Sequence, residues 1–127
     1  MKSIEVVGIG ANVHDTLLEV GAYPKEDTKL RAENRISCGG GPCATGLVAC
    51  SKLGAAAAFI GNVSDDPSGR FLIDDFKRYG VETRYMTEKK GFDSFVSYVI
   101  LSRESTSRTI VFDKGNVPPL ELNDEQR

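Results

Sequence analysis

Histidine is almost missing from this sequence: His14 is the single one in 127 residues. That scarcity excludes His-rich metal sites and leaves any Ser/His/Asp or Cys/His catalysis resting on one imidazole. Cysteine is scarce and odd in number. The spacing of Cys38, Cys43 and Cys50 matches no zinc ribbon, no C-x-x-C redox pair and no secreted disulfide framework, so all three are expected as reduced thiols. Positive charge is not in excess, with 16 Lys and Arg against 18 Asp and Glu and a formal net charge of -2. No summed positive field exists to hold nucleic acid or anionic lipid. No apolar run reaches the roughly 18 residues of a membrane helix, and the stretch after Lys2 is interrupted at once by Gly8 and Gly10. These absences predict a cytoplasmic protein with neither nucleic-acid nor membrane partners, beginning with a strand.

What is present is the balance of a soluble globular protein, 40% hydrophobic and 27% charged, at a length that allows one ordinary domain. No internal repeat or low-complexity linker divides it. Residues 4–8 are a short apolar run ending in glycine and read as a strand buried on both faces. Residues 14–20 read as a half-exposed strand, and residues 29–36 as a surface strand returning toward the core, so that 14–37 forms a flap. From Pro42 the apolar residues Ala44, Leu47, Val48 and Leu53 recur at helical period, with Pro42 in the first turn and Gly54 as C-terminal glycine. Residues 55–60 read as a second buried strand, ended by Gly61 and Asp65-Asp66-Pro67. Asp66 as N-cap and Pro67 at the first position open a second helix, with Leu72, Phe76 and Tyr79 on one face and Gly80 at its end. Strand, helix, strand, helix predicts a parallel α/β sheet. Residues 94–101 and 106–112 then read as an antiparallel hairpin, and Asn123 with Gln126 resembles a capping box at the start of a further helix. An element beginning where the sequence stops predicts the N-terminal part of a longer protein.

Few residues carry chemistry. Gly39-Gly40-Gly41 opens onto a helix N-terminus, where glycines let a ligand approach the backbone and free N–H groups meet its oxygens; a plain turn would use the same glycines. It is not a Walker A loop, which needs GK[ST] at its end. GIGANV at residues 8–13 follows a strand but lacks the third glycine and the helix of a dinucleotide fingerprint, which argues against a Rossmann oxidoreductase. Asp15 stands just beyond the first strand, at the carboxyl edge where open α/β sheets collect ligands, and can accept hydroxyl protons from a polyol; an exposed turn aspartate is the plainer alternative. Cys43 lies near a helix N-terminus but reads as a small buried hydrophobe. Asp66 is explained by capping, and Asp65 alone makes no cation site.

In their order these motifs resemble the ribokinase-like, or PfkB, family of carbohydrate and nucleoside kinases. The resemblance rests on VVGIGANVHD (6–15), GGGPCATGLVACSKLG (39–54), IGNVSDDPSGRFLIDDFKRYGVET (60–83) and SRTIVFDKG (107–115), nearly the whole chain. It implies an α/β fold, a ribokinase-like parallel sheet flanked by helices with a small β-sheet lid, truncated before the C-terminal nucleotide-binding half. Residues 1–127 would then be the N-terminal part of one ribokinase-like domain, with lid strands near 14–37 and a further strand pair near 94–112. By resemblance Asp15 binds substrate hydroxyls, Gly40 and Gly41 line the sugar pocket with backbone N–H groups, and Thr45 falls where the family has a sugar-binding asparagine. Threonine offers one hydroxyl in place of an amide, a departure for which Asn12 near the same strand end can compensate. The family's GAGD-like stretch, with its catalytic base and anion hole, has no match here. The resemblance therefore implies a parent enzyme using ATP and Mg²⁺ to transfer the γ-phosphate to a hydroxyl of a small-molecule sugar or nucleoside, and a 127-residue chain that is inert alone, holding no cofactor or metal. The alternative is a non-catalytic sugar-binding or dimerisation module of the same fold. In either reading a homo-oligomer is expected, through lid strands or an exposed sheet.

Overall fold

The computed structural model describes residues 2–127 in the order β1 (Val6–Ile9), β2 (Val13–Val20), β3 (Asn34–Gly40), α1 (Pro42–Lys52), β4 (Ala57–Ser64), α2 (Pro67–Arg78), β5 (Met86–Lys89), β6 (Val96–Ser102) and β7 (Ser107–Asp113). Both helices form where their punctuation predicts. Pro42 sits in the first turn of α1, and Pro67 in that of α2, where Asp66 accepts a hydrogen bond from the Gly69 N–H at 2.7 Å. Lys77 and Arg78 close α2 with positive charge at its negative end.

The strands divide into two sheets, a three-stranded one ordered β1-β4-β5 and a four-stranded one ordered β3-β2-β6-β7. The first is parallel throughout, as the strand and helix alternation requires. In the second, β2 and β6 run parallel, while β3 and β7 flank them antiparallel. One apolar cluster joins Ala44 and Leu47 of α1, Ala57 and Phe59 of β4, Phe76 of α2, and Val81, so both helices cover the sheet face toward which Phe59 points. Phe59 is 1% exposed and stacks obliquely on Phe76 at 5.1 Å. Helix α2 also lies against β2 and β3 and thereby couples the two sheets.

Three expectations need correction, and one strand is added to them. β1 is not buried on both faces: Val7 and Ile9 are 54% and 56% exposed, because both helices pack on the opposite side. β4 does not stop at Gly61. It continues to Ser64, since β5 pairs with Gly61 to Ser64 and supplies the partner that a lone reading of glycine cannot foresee. The added strand is β5, Met-Thr-Glu-Lys, which has no apolar run to announce it. The returning flap strand occupies Asn34–Gly40 instead of 29–36, so Gly39 and Gly40 are strand residues and only Gly41 makes the turn. Asn123 and Gln126 exchange the two reciprocal bonds of the expected capping box, each at 3.0 Å. The hairpin forms as expected, as β6 and β7.

Candidate functional site

Strand β2 alternates, so His14 and Asp15 face opposite sides of the four-stranded sheet. Asp15 stands in register with Cys38 on β3 and Ser97 on β6. The Ser97 hydroxyl donates to Asp15 Oδ1 at 2.5 Å. On the other flank, Asp15 Oδ2 lies where a side chain on residue 40 would begin, so glycine is required there for the carboxylate to fit. The carboxylate is thus held between a hydroxyl and a bare stretch of backbone.

Gly41 follows with φ of 95°, a conformation that L side chains rarely adopt, and its backbone lies against the Ala11 carbonyl. This contact ties the loop after β1 to the start of α1. That helix begins without a side-chain cap, and Pro42 has no N–H of its own. The first-turn N–H groups of α1 therefore offer donors, backed by the positive end of the helix dipole, to an oxygen-rich ligand.

Two cavities open from this junction. One, of about 300 Å³, lies at the carboxyl ends of β1 and β4 and is lined by Gly10, Asn12, Asn62, Ser64, Phe95 and Lys114 among others. Asn62 spends its amide on the Pro118 and Pro119 carbonyls at 2.9 and 3.0 Å, which draws the chain after β7 along one wall. The Ser64 hydroxyl donates to the Phe92 carbonyl. The second cavity, of about 150 Å³, runs between α1 and α2 and brings Asn12 together with Thr45, Cys38, Gly39, Lys52 and Asp75. The structure therefore joins Asp15 to Gly40, Gly41 to the Ala11 loop, and Asn12 to Thr45. It does not place Asp15 on the wall of either cavity.

His14 faces the opposite way, into the seam between sheet and helix. Its ring nitrogens bond to the Ser68 and Ser37 hydroxyls, each at 2.8 Å, and the ring stacks on Phe71 at 4.2 Å. Burial lowers its pKa from the ordinary value, while Asp15, Asp66 and Asp75 pull it back upward. Burial works against ionising Asp66 as well. The Ser94 hydroxyl and N–H, the Gly69 N–H and His14 outweigh it and hold the carboxyl below its usual range. Burial raises the Cys43 thiol. Cys38 is raised by burial and by the carboxylates Asp15 and Asp75. All three cysteines are free thiols.

Ser97 is the site residue that the sequence does not announce. It lies 82 positions from Asp15. The one local signal is a hydroxyl at a buried position within the apolar run Val-Ser-Tyr-Val-Ile-Leu, and only the β2–β6 pairing tells what it faces.

A model of the pfkB family carbohydrate kinases matches residues 1–126. Ketohexokinase of Mus musculus is 29% identical over 127 residues, which is 100% of this chain and 43% of that protein. The 5-dehydro-2-deoxygluconokinase of Geobacillus kaustophilus is 31% identical over 122 residues, 95% of this chain and 35% of that protein. Among solved structures, a putative ribokinase from Agrobacterium tumefaciens superposes with a TM-score of 0.80 at 29% identity, covering 87% of this chain and 36% of its own. Ribokinase of Arabidopsis thaliana, solved with ribose and ATP, superposes with a TM-score of 0.76 at 21% identity, over 90% of this chain and 37% of its own, and bears on the fold alone. The chain spans less than half the length of each of these relatives.

Proposed function

Because the chain belongs to the pfkB family of carbohydrate kinases, we propose that residues 1–127 form the sugar-recognition and lid portion of an ATP-dependent kinase, the N-terminal part of one ribokinase-like domain. The kinase transfers the γ-phosphate to a hydroxyl of a sugar or nucleoside, in the cytoplasm. In this reading β2, β3, β6 and β7 are the lid. Asp15 accepts substrate hydroxyl protons, Gly40 and Gly41 let the sugar approach the backbone, and Asn12 supplies the amide that Thr45 lacks.

The observation that carries this reading is the Asp15 carboxylate, seated between Ser97 and Gly40 beside a helix N-terminus that has no cap of its own. An acceptor of hydroxyl protons and a set of N–H donors are what a polyol requires. No three of His, Cys, Asp and Glu among the described residues form a cluster able to hold a metal ion. In this reading no residue of this chain is assigned to ATP or Mg²⁺, and phosphoryl transfer belongs to the part of the relatives' length that this chain does not span.

Titration calorimetry against ribose, fructose and other ketohexoses and pentoses tests the reading. We expect binding by the chain, and a loss on Asp15→Ala of about 10- to 100-fold, the range of a charge-assisted hydrogen bond. A coupled ATP assay of the 127 residues is expected to give no sugar-dependent turnover; turnover would overturn the division of labour. Binding of none of these sugars would sink the recognition role. A second reading, a dimerisation module, is favoured by one separate observation: Ile36, Ile110 and Phe112 stand exposed on the Asp15 face of the sheet.

A further inference from the structure

We infer that Ser97 is the positioning residue for Asp15, fixing the carboxylate in the orientation that receives the sugar. The inference rests on the sugar-recognition reading above and adds to it a residue outside every motif of the chain.

A serine at this place needs a reason. Ser97 is 5% exposed, and Val99, the next residue on the same face of β6, is buried beside it. Packing alone would be served by alanine. A hydroxyl removed from water destabilises the fold unless it is hydrogen-bonded. Its bond goes to Asp15 Oδ1, at the short end of the range for a hydroxyl donating to a carboxylate.

The carboxylate also needs a partner. Leu17 and Val99 share its face, and the bond from Ser97 is the one side-chain hydrogen bond to Asp15 among the described residues. On the far side Oδ2 rests against the Gly40 backbone. Without Ser97 the carboxyl is free to swing about its side-chain torsions away from Gly40. With it, both oxygens have defined places before any ligand arrives, and that order need not be imposed during binding. The parallel register of β2 and β6 sets the two residues directly opposite each other, so strand pairing itself delivers the donor.

The test uses Ser97→Ala and Ser97→Thr, each alone and in an Asp15→Asn background, with sugar affinity read by calorimetry and folding by thermal melts. Ser97→Ala is expected to weaken binding about tenfold, Ser97→Thr to retain it, and Ser97→Ala to cost nothing further once Asp15 is Asn. The Asp15 side-chain carboxyl carbon, followed by NMR without sugar, is expected to shift in Ser97→Ala and to stay in place in Ser97→Thr. Wild-type affinity in Ser97→Ala, or an equal loss in both backgrounds, overturns the inference. So does an unmoved carboxyl resonance. If the wild-type protein binds no sugar while the resonance responds, the sugar-recognition reading fails and the positioning role falls with it, leaving the bond as a structural contact. If it binds sugar and the resonance is silent, the inference alone fails.

Discussion

His14 and Asp15 are adjacent in sequence and serve opposite sides of one sheet. His14 ties β2 to β3 through Ser37 and to α2 through Ser68 and Phe71. Its folded pKa lies below the ordinary 6.5, so the unfolded chain binds the proton more readily. The stability it contributes is complete above pH 6.5 and is lost as pH falls from there toward the folded pKa. Denaturant unfolding at pH values on either side of 6.5 should show this slope, and His14→Gln should flatten it. An unchanged slope in the variant would show that another group carries it. Asp66 follows the same sign in a lower window, because its pKa is depressed below 3.8, with stability lost only as pH falls through that lower folded value. At the site, Gly40→Ala places a methyl on the Asp15 carboxylate. It should weaken sugar binding at least as much as Ser97→Ala, and overpacking of this kind lowers stability by about 1–3 kcal/mol. Unaltered affinity in Gly40→Ala would mean that the carboxylate is not held where it is described.

At the scale of elements, the helices were legible and several strands were not. Pro42, Asp66 and Pro67 act within one turn of chain, so local sequence suffices to start α1 and α2. Asp66 does more than cap. It receives the Gly69 N–H at 2.7 Å, the Ser94 N–H at 2.9 Å and the Ser94 hydroxyl at 2.6 Å, which pins the approach to β6 onto the start of α2. Asp66→Ala should therefore cost more than the roughly 1 kcal/mol of an average cap, and Asp66→Asn, which keeps one acceptor, should recover part of it in the same melts. A loss no larger than that of a cap would make the Ser94 contacts energetically idle. The missed strand β5 and the displaced β3 have a shared cause. Strand partners lie far away in sequence, and glycine reads as a break until a neighbouring side chain, here Asp15, is seen to need the space.

For the molecule as a whole, the balance lies between one well-filled core and the apolar residues left exposed on β1 and on the Asp15 face of the other sheet. Phe59 sits in the centre of the core with Phe76 against it, and Phe59→Ala should lower stability by about 3–5 kcal/mol, measured by denaturant unfolding. On the outer side of the parallel sheet Val7 and Ile9 are exposed, and on the Asp15 face of the other sheet Phe112 is 63% exposed. Contiguous apolar surface of this kind drives association. Light scattering across a concentration series should show self-association, reduced by Phe112→Ser without loss of melting temperature; a chain that stays monomeric at all concentrations would count against the dimerisation reading.

Taken alone, the amino-acid sequence determined the punctuation: where both helices start, that β1 and β4 run parallel, and that a hairpin follows. Those features act through a few neighbouring residues or through a motif order shared across the family. Tertiary structure decided which residues meet. It set Ser97 against Asp15 across 82 positions, turned His14 into a strut between sheet and helix, carried β3 through Gly40, and brought Asn12 together with Thr45. Each of these is a matter of strand register and of which face a side chain points to, and register is settled only when distant segments pair.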